Sequence, residues 1–233
     1  MPIETTPDHV AIAVHDIGAA ATRWHDRLGG GWLSDDVEVM AVPVAIRQMR
    51  FANGAKLELW QPHGEGFARR FMERYGTRVH HVTLKVPDGL QSAVETLRAH
   101  GYDVVDVDTS GGWHEAFLRP SQVGGMIVQI AWEEMSDEEW MAQTGYQPEE
   151  PRGTAGLLGP TLTHPDLDAA ERLWTTLGGT VTRHEGVLTV SWPGHVLDIR
   201  IEQGPTAGPL GLRFTGTDAL PADDVEGPAV LVD

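Results

Sequence analysis

The chain has no cysteine. Disulfides, zinc–thiolate sites, iron–sulfur clusters and cysteine nucleophiles are excluded at once. No apolar run approaches the ~20 residues of a membrane-spanning helix. The opening MPIETTPDHV has no basic-then-apolar signal pattern, so a cytoplasmic protein is expected. Basic side chains are scarce: 17 Lys and Arg against 34 Asp and Glu leave a net charge of −17. That balance argues against a nucleic-acid binder and against attraction to anionic lipid, leaving a small molecule as the expected partner. The 233 residues are 41% hydrophobic, enough for a sizeable core.

The dominant signal is internal repetition. Residues 8–14, DHVAIAV, and 80–86, HHVTLKV, are strand-like runs. Each is followed by an acidic turn and an amphipathic helical stretch, Ile17–Leu28 and Leu90–His100, with apolar residues spaced three and four apart. Gly29 and Gly101 sit where left-handed caps are expected. Three strand candidates follow each helix: Gly31–Val39, Val44–Ala52 and Lys56–Gln61 in the first copy, Asp103–Val107, His114–Arg119 and Met126–Trp132 in the second. Each copy reads β-α-β-β-β. A helix is expected over residues 64–76, between them.

A third copy begins at residues 157–179, which align without gaps on residues 8–30. It continues with strand candidates Thr180–Arg183, Val187–Ser191 and Val196–Ile201. A run at Leu210–Phe214 starts a fourth copy and stops. The fold expected is α+β, with paired modules over residues 1–133, an acidic helix and linker over 134–154, and a third, degenerate half-domain over 155–233. A lone module leaves a sheet edge open, which two chains could cure by pairing; a homodimer is expected.

Strand side chains alternate between faces. If Val10, Ile12 and Val14 pack beneath a helix, His9 points the other way, and so does His81 in the second copy. The last strand of each copy repeats the coincidence: Glu58 interrupts AKLELWQP and Gln129 interrupts GMIVQIAW. His9, Glu58, His81 and Gln129 would then share one face as two imidazoles and two side-chain oxygens. Such a set suits one divalent ion, whether Zn, Co, Ni, Mn or Fe. The third copy lacks these ligands: the gapless alignment sets Leu158 opposite His9, and Asp198 falls at the place of Glu58.

These residues resemble the vicinal oxygen chelate superfamily of glyoxalases, epimerases, extradiol dioxygenases and bleomycin-resistance proteins. The resemblance covers residues 7–132 and is nearest the methylmalonyl-CoA epimerase branch, through GEGFARRFMERYG and HHVTLKVPD. It implies paired βαβββ modules in a U-shaped sheet, with metal ligands on the first and last strand of each. The epimerase order is His, Gln, His, Glu, whereas here it is His9, Glu58, His81, Gln129. The dioxygenase order wants its carboxylate on the final strand, where Gln129 stands. The implied activity is a metal-dependent isomerase, epimerase or lyase acting on a 2-oxo, 2-hydroxy or acyl-thioester compound. By the same resemblance Glu58 can serve as base, and His114, beside Trp113, is the candidate for a second acid/base. A metal-free sequestering protein of the resistance type is the alternative, and an iron(II) oxygenase a third. Trp60, on the face of Glu58, reads as pocket lining or core. TDALPADD, over 217–224, reads as a solvated acidic segment.

Overall fold

The computed structural model of the protein describes residues 1–39 and 43–233. The first module runs β1 (Thr6–Ala13), α1 (Ile17–Ala21), β2 (Gly31–Trp32), β3 (Val37–Val39), β4 (Val44–Arg50) and β5 (Lys56–Pro62). Helix α2 (Phe67–Tyr75) leads to the second: β6 (Arg78–Lys85), α3 (Leu90–Ala99), β7 (Val104–Asp108), β8 (Trp113–Leu118) and β9 (Ile127–Glu133). After α4 (Asp137–Thr144) comes the third: β10 (Gly156–His164), α5 (Leu167–Thr176), β11 (Thr180–His184), β12 (Val187–Ser191) and β13 (Asp198–Gln203). Strands β14 (Gly208–Thr215) and β15 (Val230–Val232) close the chain.

Each of the first two modules pairs its first strand in parallel with its last, β1 with β5 and β6 with β9, while the hairpins β4–β5 and β8–β9 are antiparallel. Among the described residues they form a nine-stranded sheet ordered β2-β4-β5-β1-β6-β9-β8-β7, with β3 beside β4. The single strand expected over Gly31–Val39 is broken in two. Polar groups of Ser34 take over at the break: its carbonyl accepts from Arg47 Nε at 3.1 Å and its hydroxyl accepts from the Gln48 amide at 3.3 Å.

The second sheet, β11-β12-β13-β10-β14-β15, has the same plan. Here β14 stands beside β10 as β1 stands beside β6, and β15 pairs with β14 in parallel. The fourth copy is therefore present as its first and last strands alone. The half-sheet that prompted the expectation of a homodimer is continued by the chain's own β14 and β15.

The first helix differs from its counterparts. After α1 the chain winds as a π-helix over Thr22–Arg27, with the Leu28 amide bonded to the Arg23 carbonyl at 3.0 Å. From N-cap Asp16 to C-cap Leu28 it spans one residue more than α5 does from Asp166 to Leu177. The gapless alignment is thus corrected by one residue ahead of the helix: Asp16 matches Asp166, Trp24 matches Trp174, and Gly159, not Leu158, stands opposite His9. A π turn is the usual way a helix absorbs one inserted residue. It turns three consecutive side chains inward, Arg23, Trp24 and His25, where α5 buries Leu173 and Trp174.

The chain forms two compact units, neither continuous in sequence. One holds residues 1–8, 81–147 and 162–208. In it the Ile3 amide donates to the Thr176 carbonyl at 2.9 Å, and Thr5 Oγ1 bonds the Leu177 carbonyl while accepting from Trp192 Nε1 at 3.1 Å. The other unit holds residues 9–80, 148–161 and 209–233. There Arg23 donates to the carbonyls of Pro221 and Pro228, each at 2.9 Å, and lies 3.3 Å from Glu226. Trp24 Nε1 donates to the Glu226 carbonyl, and His25 bonds Glu149 of the linker at 2.9 Å. Gly29, at φ +74°, lets the linker pass close: a Cβ there would lie 2.5 Å from the Gly153 nitrogen. The TDALPADD segment is exposed on its outer side, but Leu220 is buried and the Pro221 carbonyl is one of those held by Arg23.

Because Arg23 is a buried cation with several backbone acceptors, its removal leaves those carbonyls desolvated. Arg23→Ala is expected to lower stability by about 3 kcal/mol in urea unfolding, against within about 0.5 kcal/mol for the exposed ion-pair variant Arg183→Ala. A loss from Arg23→Ala no larger than that of Arg183→Ala would contradict the clamp.

Candidate metal centre

Two residues past each strand-start histidine, the first strand of the module meets the polar residue of its last strand. Ala11 pairs with Glu58, and Thr83 pairs with Gln129. The equivalence inferred from alternation therefore holds in the backbone register itself. One ligand-competent atom from each of His9, Glu58 and His81 lies within 4.8 Å of the other two. All three side chains are buried, at 2%, 6% and 4% exposure. His9 Nε2 stands 3.7 Å from Glu58 Oε2, and Gln48, directly across the β4–β5 hairpin, donates to that same oxygen at 3.1 Å.

Gln129 is buried at the corresponding place in the second module. Its Nε2 donates to Glu115 Oε2 at 2.6 Å, which sets the amide orientation and leaves Oε1 to accept from Thr83 Oγ1 at 2.5 Å. Trp113 Nε1 also donates to Glu115 Oε2, at 3.1 Å. Each module thus couples one carboxylate to one amide: Glu58 with Gln48, and Glu115 with Gln129.

His114 is not brought to this face. On β8 it alternates with Trp113 and Glu115, pairs with Trp132 across the hairpin and packs on the Trp132 ring at 4.8 Å. Trp60 is core: it clusters with Ala13, Val44, Ala68 and Met72 and stacks on His80 at 4.1 Å. Burial pushes the His80 imidazole down to about 3, so this ring is neutral in its aromatic setting beside Phe71. Alternation along β6 places Thr83 on the face of His81, whereas Gln48 and Glu115 were not anticipated. Glu115 alternates with His114, so what decides between them is the register of β8 on β9, which sets Trp113, Glu115 and Phe117 on the face of Gln129.

Residues 8–117 match the family model for the glyoxalase/bleomycin resistance protein/dioxygenase superfamily. The chain carries a domain of that superfamily. No curated protein matches it in sequence. Among solved structures, a hypothetical protein from Staphylococcus aureus is similar over 98% of this chain and 99% of its own, at 11% identity and a TM-score of 0.68. Methylmalonyl-CoA epimerase from Mycobacterium tuberculosis is similar over 57% of this chain and 91% of its own, at 22% identity and a TM-score of 0.52. The Mn(II)-bound glyoxalase from Novosphingobium aromaticivorans is similar over 96% of this chain and 68% of its own, at 12% identity and a TM-score of 0.59. At these identities the likeness is one of fold. Among the described residues no helix is long and apolar enough to cross a membrane.

The donor set of the superfamily domain fits a divalent cation. Two imidazoles and a carboxylate, all buried and mutually close, could hold a borderline ion and suit it better than calcium or magnesium. The purified protein is expected to bind about one equivalent of such an ion per chain, measured by equilibrium dialysis with elemental analysis. His9→Ala combined with His81→Ala should abolish stoichiometric binding; its retention would sink the assignment. Gln129→Leu is expected to weaken binding by about tenfold or more.

Proposed function

We propose that the protein is a metal-dependent enzyme of the vicinal oxygen chelate type, an isomerase, epimerase or lyase that moves a proton on a small 2-oxo, 2-hydroxy or acyl-thioester compound. The observation that carries this reading is the buried cluster of His9, Glu58 and His81. A pure sequestering fold has no need of that trio, and the position of Gln129 on the last strand disfavours ring cleavage. The superfamily match supports the reading, as does the fold likeness to an epimerase and a manganese-bound glyoxalase.

His9, Glu58 and His81, with Gln129 as fourth ligand, would hold the ion, which would supply Lewis-acid stabilisation of the charge developing on substrate oxygens. The chain's own part is proton transfer. Glu58 is the base: its carboxylate is buried, and Gln48 fixes its orientation from across the hairpin. An epimerase needs a second group to return the proton. Glu115, held by both Gln129 and Trp113, fills that role in our reading in place of His114. The amide of Gln129 then both orients Glu115 and presents its carbonyl oxygen beside Thr83.

Incubation with 2-oxo acids and acyl thioesters in deuterated water, followed by mass spectrometry, tests the reading. Deuterium should enter the carbon next to the carbonyl, and its absence across both classes would count against the proposal. Glu58→Gln should slow exchange by about 10²–10⁴-fold, and Glu115→Gln should slow epimerisation more than exchange. His114→Ala should stay within about threefold of the parent protein.

A further inference from the structure

The unit built from residues 9–80, 148–161 and 209–233 holds a hollow of about 280 Å³, which includes none of His9, Glu58, His81 or Gln129. Tyr75, Thr77 and Arg78 line it from the turn between α2 and β6; Leu210, Pro228 and Ala229 line it from the C-terminal segment. Thr77 Oγ1 donates to the Asp223 carbonyl at 2.8 Å and so ties the two walls together.

Arg78 is the charged group of this hollow. It is half-buried, its guanidinium lies 5.2 Å from the centre of the Tyr75 ring, and burial draws it below the usual arginine range. Among the described residues no acidic side chain pairs with it. Asp223, whose carbonyl meets Thr77, turns its own carboxylate to the amides of Val225 and Glu226, each at 2.8 Å. In a chain of net charge −17, a partly desolvated arginine without a carboxylate calls for an anion from outside. Of the neighbouring cations, Arg69 is paired with Glu73 at 3.2 Å, and the Arg74 guanidinium flanks the Tyr75 ring at 5.1 Å, leaving Arg78 as the one cation among the described lining residues.

We propose that this hollow is a separate binding site for a small monocarboxylate with a short apolar tail. Arg78 takes the carboxylate with its planar fork, and Leu210, Pro228 and Ala229 take the tail. One lining cation matches one negative charge; an inorganic phosphate dianion would keep a charge unmatched and would find half its wall apolar. Nothing in this assignment depends on the metal trio or on the reaction assigned to it.

The test is calorimetric titration of the full-length protein, in EDTA so that no metal contributes, with butyrate and separately with inorganic phosphate. Butyrate is expected to saturate with a Kd on the order of 1 mM, and phosphate to bind at least about tenfold more weakly. Arg78→Gln should weaken butyrate about tenfold or more. Leu210→Trp alters an exposed position, keeps the arginine and narrows the hollow, and it should weaken butyrate likewise. Failure of butyrate to saturate, unchanged affinity in Leu210→Trp, or tighter binding of phosphate than of butyrate would each overturn the proposal.

Discussion

A carboxylate cannot be buried in a sheet without something to balance it, and Glu58 is buried between β4 and β1, opposite Gln48 on one side and Ala11 on the other. The architecture of the first two modules follows from meeting that demand. Parallel pairing of first and last strands sets Glu58 opposite Ala11, whose small side chain stands two residues past His9. A slip of one residue would send His9 or Glu58 to the far face and bring Val10 or Leu57 in its place. The repeated register of β6 on β9 applies the same rule to His81 and Gln129. Two copies of one local arrangement thus place the polar side chains more firmly than any single strand could.

What the sequence disclosed, and what it withheld, follow the same physics. The period-two alternation of DHVAIAV and HHVTLKV carries the face of each residue directly, so His9, His81, Glu58 and Gln129 could be paired by eye. The face of His114 depended on how β8 registers on β9, a pairing that sets His114 opposite Trp132 and its neighbour Glu115 on the face of Gln129. The π turn was hidden because Leu-Gly-Gly ends both helices, and anchoring the alignment there conceals an extra residue upstream. The holding of the C-terminal segment was hidden for another reason: Arg23 is met mainly by backbone carbonyls, which every sequence possesses and none advertises. The brevity of β15, three residues paired to β14 and bridged at Val230 to Leu220, left no periodic signature to read.

The extra residue in the first helix divides labour among the copies. In α5 the buried pair Leu173 and Trp174 serves packing. In the first module Trp24 keeps that role, stacking near Phe214, while the residues on either side gain polar duties. Arg23 draws in the turn at 221–228, and His25, lying on Trp32 at 5.3 Å, draws in Glu149. The third copy has no such turn and carries Gly159 where the first has His9. It keeps the scaffold of the repeat without that imidazole.

The order in which the chain visits its two units bears on how such a protein can be inherited. A gene fragment ending at residue 133 would encode the first two modules yet omit every acceptor of Arg23 and the Trp192 that bonds Thr5. The first two modules are therefore not a self-contained piece: each unit relies on groups that lie beyond that cut.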